Sequence, residues 1–146
     1  TGVKPLKVLP DVVIGTDVFF FSNAKFEVFE SLGLSGMVAH PCIYIDHKNY
    51  WHENIWHVSV VKKIDCWDRS QSEYDEDSAE ETKEGIIYTI DRYSLDDEIL
   101  EKIALNERLV FRLGGVKYGG TLIHKSLRKF FTDYGVKFIP VKEYSL

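Results

Sequence analysis

Three histidines in the middle of the chain are the first residues whose types and spacing could support chemistry. His47, His52 and His57 follow one another at steps of five positions. Metal ligands on one helix face lie about three or four positions apart, and ligands on one strand face lie at even steps. Steps of five fit neither arrangement. Asp46 and Glu53 would allow a loop site, but polar loop and strand-face histidines explain the pattern better, so we predict no metal site.

A second candidate for chemistry is the pair formed by His40 and Cys42, which lie two positions apart and would share one face of a strand. A cysteine nucleophile needs a base and a third group that orients the base, and no recognisable motif supplies that third group here. The sequence also lacks a nucleophile elbow, a P-loop and a dinucleotide-binding glycine motif. We therefore predict a buried, unreactive Cys42, no catalytic site and no cofactor.

The segment from Ser70 to Gly85 is strongly acidic, with seven carboxylates against the single Lys83. Such a run repels itself and buries little apolar surface, so we predict a mobile acidic loop at residues 70–85. It lacks the glycine and the ligand spacing of an EF-hand, which argues against a calcium site. Two interpretations stay open: a surface that attracts a basic protein partner, and a solvated loop that only keeps the protein soluble.

Several aromatic residues lie close to the acidic segment in sequence. Exposed Trp and Tyr are common at protein interfaces, whereas a strand-borne tryptophan such as Trp56 is expected in the core. Trp51 lies in a polar segment and is the better interface candidate. The predicted partner-binding residues are Trp51, Trp67, Glu73, Tyr74, Asp75, Glu76, Asp77, Glu80 and Glu81.

The overall composition narrows the classes of function. A chain of 146 residues that is 45% hydrophobic can form one domain with a buried core. Its 18 basic and 23 acidic residues give a net charge of −5, which argues against general nucleic-acid binding. No apolar run approaches the roughly 18 residues that cross a bilayer. Cys42 and Cys66 are distant in sequence and favour a reducing compartment, so we expect the cytoplasm, although a single disulfide stays open.

Hydrophobic periodicity predicts one α+β domain at residues 11–146, preceded by a flexible segment at residues 1–10. We expect a mixed or antiparallel sheet with two to three helices, and a glycine-framed turn around Tyr118. Ser94 begins a stretch that resembles a capping box. The predicted strands are Val12–Ile14, Val18–Phe21, Met37–Ile45, Ile55–Ile64, Ile86–Ile90, Leu109–Leu113, Thr121–Ile123 and Val136–Val141, and the predicted helices are Lys25–Leu32, Leu95–Ala104 and His124–Tyr134.

Two passages of the chain share one pattern, FFFSNAKFEVFESLGLSGMV and TLIHKSLRKFFTDYGVKFIPV. Ser22 and His124 each precede a glycine, Gly33 and Gly135, by eleven positions. Both passages predict a strand, a helix, a glycine and a strand. An internal repeat and a chance match between two common units are both consistent with this pattern.

Several motifs resemble those of a known family. WHVSVVKKIDCWDRSQSEY, within Ile55–Tyr74, is similar to the strand, Val-Asp-Cys/Ala-x-Asp and Ser-Glu signature of bacterial immunity proteins from polymorphic toxin systems. Phe111–Leu113 resembles the family's Phe-Arg-Leu strand. Ile123–Arg128 and Gly135–Val141 resemble its closing strand–helix unit, although His124 stands where the pattern prefers Ser. The likeness runs from about Phe19 to Tyr144 and is to the group called immunity protein eleven and its relatives.

The resemblance implies a protein that binds a cognate toxin in the cytoplasm of the producing cell and blocks it, which would protect that cell and its kin. Two interpretations from other classes are kept. One is a small enzyme whose site combines His40, His57, His124 and nearby acids, which requires a pocket that joins the three histidines. The other is an adaptor domain that binds a non-toxin partner through Trp51, which an adjacent secreted-toxin gene would argue against.

Overall fold

The structure, a computed structural model, describes residues 10–15 and 17–141. The predicted flexible segment at residues 1–10 lies outside the described residues apart from Pro10. The strands are β1 Val12–Ile14, β2 Val18–Ser22, β3 Met37–Ile45, β4 Trp51–Val60, β5 Lys63–Ile64, β6 Glu73–Thr82, β7 Gly85–Arg92, β8 Val110–Leu113 and β9 Thr121–Ile123. The α-helices are α1 Asn23–Glu30, α2 Asp97–Glu101 and α3 Arg128–Thr132, and 3-10 turns lie at Leu105–Glu107 and Lys125–Leu127.

The largest sheet is antiparallel and has the order β1-β2-β4-β3. Strand alternation decides which of its faces is buried. Phe19 and Phe21 of β2 are almost fully buried, and their cross-strand neighbours on β4 are Val58 and Trp56. Helix α1 packs against this face through Phe26, whose ring stacks on that of Trp56 with centroids 4.2 Å apart.

Aromatic rings make up much of the core beneath this sheet. The rings of Phe21 and Phe29 stack at 4.5 Å, and Phe19 lies 5.5 Å from Phe131 of α3. Each buried aromatic side chain removes a large apolar area from water, and tilted ring pairs add to that stabilisation. Helices α1 and α3 are therefore attached to the sheet by the same cluster of phenylalanines.

A second core lies between the remaining strands, and β8 contributes side chains to both cores. Val110 of β8 faces the phenylalanine core, whereas Phe111 and Leu113 face the second core around Trp67. Strand β8 pairs with β5 in parallel and with β9 in antiparallel orientation. The salt bridge from Arg112 to Asp17, at 2.9 Å, further joins β8 to the large sheet. The predicted single α+β domain, with a mixed or antiparallel sheet and two to three helices, is confirmed.

The prediction of a mobile acidic loop at residues 70–85 is wrong, because most of this segment is strand β6. β6 pairs with the apolar strand β7 in a hairpin that turns at Lys83 and Glu84. Backbone pairing with β7 and the packing of Tyr74 hold β6 in place, so low hydrophobicity of the segment does not keep it disordered. The strand bulges between Asp75 and Glu80.

The two similar passages agree in structure up to their glycines and then diverge. Ser22 and His124 both occupy the N-cap positions, and Gly33 and Gly135 both have positive φ values, 62° and 79°. The first passage continues into β3, but the predicted strand Val136–Val141 does not form. Residues of this segment pack their side chains against both cores without entering a sheet, and Pro140 lacks the N–H that a strand ladder requires.

Helix α2 is shorter than the predicted Leu95–Ala104 and begins at a different cap. The Asp96 side chain accepts a hydrogen bond from the Ile99 backbone N–H at 3.1 Å, so Asp96, not Ser94, is the N-cap. Leu95 forms an isolated β-bridge with Trp67, and the Asp96 N–H donates to the Cys66 carbonyl at 2.7 Å. These tertiary bonds keep residues 94–96 out of the helix, which therefore begins two residues later than predicted.

Candidate functional site

The end of the β3–β4 hairpin projects beyond the sheet that carries it. β4 pairs with β2 from Ile55 to Ser59. Within the described ranges, residues 43–54, here called the hairpin tip, therefore pair only with one another. Within the tip, Tyr44 lies opposite His52 and Ile45 lies opposite Trp51. Among the described residues, the outer edges of both strands of the hairpin tip are therefore unpaired.

One face of the hairpin tip is apolar and exposed. Trp51 is 67% exposed on this face, and Ile43 and Ile45 are each about half exposed. Tyr50, which precedes Trp51 in the turn, is 66% exposed. Ile43 and Ile45 lie two positions apart on β3 and therefore point to the same side as Trp51, the cross-strand neighbour of Ile45. Contiguous exposed apolar residues of this kind are a common mark of a protein interface. Trp51 is thus exposed, as the sequence predicted, and its role at an interface stays a prediction.

The turn of the hairpin tip is ordered by one carboxylate, that of Asp46. Its Oδ1 accepts hydrogen bonds from the backbone N–H groups of Lys48 at 2.7 Å and Tyr50 at 3.0 Å, and its Oδ2 lies 3.1 Å from His52 Nε2. Partial burial raises the pKa of Asp46, but the hydrogen bonds from His52, Lys48 and Tyr50 together outweigh burial, so the net direction is downward. Asp46 thus fixes the backbone of the turn at Lys48 and Tyr50, directly before Trp51.

We expect Asp46→Ala to loosen the hairpin tip while the rest of the protein stays folded. The amide hydrogen-exchange rates of Lys48 and Tyr50 should rise severalfold, since both amides lose their acceptor. Asp68→Ala is the matched control, because Asp68 accepts from Ser70 N–H in a turn elsewhere. That control should leave the tip amides unchanged.

The same carboxylate predicts a pH dependence of the tip. The pKa of Asp46 is lowered on folding, so its contribution to order is fully present above the ordinary aspartate pKa and is lost as pH falls through the lowered value. The amide chemical shifts of Lys48 and Tyr50 should therefore titrate together in acid. Independent titration of the two amides would contradict the role assigned to Asp46.

The acidic strand β6 is the second exposed feature. Among the described residues, β6 pairs only with β7, so its other edge is free. Three of its carboxylates, Glu76, Asp77 and Glu81, are exposed and form no ion pair with a described residue. Glu73 is paired with Arg92, and Glu80 lies 3.1 Å from Lys117. Asp75 accepts a hydrogen bond from the Asp77 N–H within the bulge of the strand.

Two predicted partner-binding residues face inward. Trp67 is 1% exposed in the second core, so its prediction as an interface residue is wrong. Tyr74 is half-buried, and its ring meets that of Trp67 edge-on at 5.0 Å. Strand alternation explains the difference, because Tyr74 points to the core side of β6 while Glu73 and Asp75 point to solvent.

The comparison with protein families bears on this geometry. The model of the Immunity protein family (Imm11) matches residues 2–115, which is most of the chain. The chain belongs to the Imm11 immunity protein family. No curated protein matches the chain. The matched range contains both the hairpin tip and the acidic strand β6.

Membership of the Imm11 family indicates toxin neutralisation in general, and immunity proteins are in general not enzymes. The three histidines of the alternative enzyme interpretation do not line one cavity in the described part of the chain. His40 and His57 are direct cross-strand neighbours, whereas His124 lines a cavity whose described lining includes neither of them. Residues 10–15 and 17–141 contain no group of three or more His, Cys, Asp or Glu placed to hold a metal ion.

The thiols of this Imm11 protein are both free. Burial, followed by the nearby carboxylates of Asp65 and Asp96, raises the pKa of Cys66 to about 12. Partial burial also raises the pKa of Cys42. Neither thiol is therefore activated as a nucleophile at neutral pH.

The helices of the Imm11 protein are short. None of those in the described part of the chain is long and apolar enough to span a bilayer.

Proposed function

We propose that this protein neutralises one cognate toxin by binding it directly and covering its functional surface, without chemistry of its own. The observation that carries this proposal is the exposed apolar face of the hairpin tip in a member of an immunity family. Trp51 and Tyr50 are large, have few rotatable bonds and project from an ordered turn, which limits the entropy lost on binding. In this proposal the protein acts in the cytoplasm of the cell that makes the toxin, and it protects that cell and its kin.

Strand β6 supports a role in attracting the toxin. Glu76, Asp77 and Glu81 of this strand form no ion pair with any of the described residues. The whole protein also has a net charge of −5. Exposed carboxylates attract a basic protein at long range and raise the association rate more than the final affinity. Glu73, Asp75 and Glu80 add to the same negative electrostatic potential. Glu73 and Glu80 contribute less, because they are already paired with Arg92 and Lys117.

Charge removal on β6 should slow association with a basic toxin. We expect the triple variant Glu76→Gln, Asp77→Asn and Glu81→Gln to lower the association rate constant about tenfold at low salt, and less at high salt because ions screen exposed charges. The measurement is stopped-flow binding across a salt series. The control removes three exposed carboxylates elsewhere, by Glu30→Gln, Glu101→Gln and Asp133→Asn, with the same change in net charge.

The two variants separate a local effect from the effect of total charge. Equal slowing in both would assign the effect to net charge alone. An association rate independent of both variants and of salt would remove β6 from the mechanism and leave it as a charged edge that discourages strand pairing between molecules.

The proposed function is tested first by co-purification with the product of the adjacent toxin gene, and then by growth rescue of cells that express that toxin. We expect a stable complex and restored growth. If growth is restored without a complex of the two purified proteins, the proposal of direct blocking is wrong.

A further inference from the structure

A cavity of about 450 Å³ lies between β9, β8 and the non-strand segment at residues 136–141. Its walls are mostly apolar and include Phe111, Leu122 and Phe138. Cavities of about 300–1,000 Å³ with apolar walls and a few polar groups are the usual binding sites for small molecules. The size and lining of this cavity therefore suit a small molecule with an apolar body.

The charged groups in the described lining of this cavity are all cationic. Arg108, His124 and Lys125 line it, and none of the described lining residues is acidic. This arrangement contrasts with the net charge of −5 of the whole protein. Neither Arg108 nor Lys125 forms an ion pair with a residue in the described ranges. The cavity is thus a local positive region with no carboxylate of its own.

Backbone pairing brings the two cations close together. β8 and β9 are antiparallel, with Val110 opposite Ile123, and the His124 N–H donates to the Leu109 carbonyl at 2.8 Å. One further step in the same register places Arg108 next to Lys125, at the end of the β8–β9 hairpin that is opposite its turn. Two adjacent cations repel each other unless an anion lies between them. In addition, the Nε of Arg108 is buried and has no hydrogen-bond partner among the described residues.

His124 adds a hydrogen-bond donor to this pair. Its Nδ1 accepts a hydrogen bond from the Ser126 N–H, which leaves Nε2 as the protonated nitrogen of the neutral ring. Burial, and then the positive charges of Lys125 and Arg108, lower the pKa of His124. At neutral pH the ring is therefore uncharged, and its Nε2–H can donate to an anionic oxygen.

We propose that this cavity binds a small amphiphilic carboxylate, with its alkyl body against the apolar walls and its carboxylate between Arg108 and Lys125. This site is separate from the hairpin tip and from β6, so the proposal stands independently of how the toxin is bound. Lys125 and residues 136–141 also lie beyond the range matched by the family.

Decanoate is the probe, and decanol, which has the same chain without the charge, is the matched ligand. Titration calorimetry and amide chemical-shift mapping of the full chain should show saturable binding of decanoate, with shifts concentrated at Gly120, Ile123 and His124. We expect Arg108→Gln to weaken decanoate about tenfold, since hydrogen bonds to charged groups are the stronger class, and to leave decanol unchanged. The control Lys129→Gln removes an exposed cation that does not line the cavity and should have no effect.

Lys125 is exposed, so Lys125→Gln serves as the second variant if Arg108→Gln does not fold. Three results would overturn the proposal. They are absence of saturable decanoate binding, equal affinities for decanoate and decanol in the unaltered protein, and equal weakening by Lys125→Gln and Lys129→Gln.

Discussion

Replacing Trp67 with alanine is expected to lower the free energy of unfolding by about 3–5 kcal/mol, the usual range for truncating a fully buried tryptophan. Trp67 is 1% exposed and contacts Tyr74 and Tyr88 edge-on at 5.0 and 5.9 Å. The guanidinium of Arg69 lies 4.2 Å from the centre of the indole. Loss of this side chain leaves a cavity where the second core, the β6–β7 hairpin and the start of α2 meet. Chemical denaturation followed by far-UV circular dichroism measures the change.

Trp67→Phe should lose much less than Trp67→Ala. The indole Nε1 is buried and has no hydrogen-bond partner among the described residues, so its removal deletes an unsatisfied donor along with some packing. The matched control is Trp51→Ala, which removes a tryptophan that is 67% exposed and should change stability by less than about 0.5 kcal/mol. Comparable losses for Trp51→Ala and Trp67→Ala would contradict the burial of Trp67.

Trp51 and Trp67 differ in burial, and the sequence alone predicts the burial of only one of them. Both lie in segments with many polar residues, and local composition does not distinguish them. Trp67 is buried because Leu95, distant in sequence, pairs with it in a β-bridge and because β7 places Tyr88 on its ring. Those contacts are long-range and leave no periodic signal near Trp67. Trp51 is exposed, as expected for a residue in the polar connection between two strands, and its role in partner binding stays a prediction.

Elements with a strong local signal were predicted well. The phenylalanine spacing of α1 and the glycines at positions 33 and 135 have direct physical causes in helix geometry, and the structure contains both. Strand β6 was missed because its stability comes from its partner. Its exposed face is acidic, whereas the inward-facing Tyr74 packs into the second core and Ser78 Oγ accepts a hydrogen bond from the Thr89 N–H of β7. For residues 136–141 the error was the opposite: a strand was predicted where none forms. The alternating apolar residues of this segment pack against the two cores, but no neighbouring strand pairs with its backbone.

The residues that line the cationic cavity could not be assembled from sequence. Arg108 and Lys125 are 17 positions apart and become neighbours only through the β8–β9 register. His124 was considered as a catalytic histidine, whereas in the structure it caps the turn before α3. A single sequence shows which residue types are present, but not the strand pairing that brings them into one cavity.

Replacing Trp51 with alanine is expected to weaken binding of the cognate toxin by at least about 2 kcal/mol, or roughly 30-fold in Kd, while the protein stays folded. The reason lies in the geometry of the hairpin tip. Trp51 is the largest exposed apolar side chain of the tip, its neighbour Tyr50 is held by Asp46, and Ile45 lies directly across from it. A rigid exposed indole of this kind loses little conformational entropy when a partner buries it.

Tyr118→Ala is the control for this prediction, because Tyr118 is an aromatic residue that is 76% exposed and lies outside the tip. Biolayer interferometry should show a faster dissociation rate for Trp51→Ala and unchanged rates for Tyr118→Ala, since interface truncations act mainly on dissociation. Growth rescue should follow the same order.

If Trp51→Ala binds and protects like the unaltered protein, the toxin contacts another surface. A selective loss of binding in the β6 triple variant would then assign that contact to the acidic strand. Because Asp46→Ala loosens the tip without removing its apolar side chains, an intermediate loss of affinity in that variant would show that the order of the turn, as well as the indole, contributes to binding.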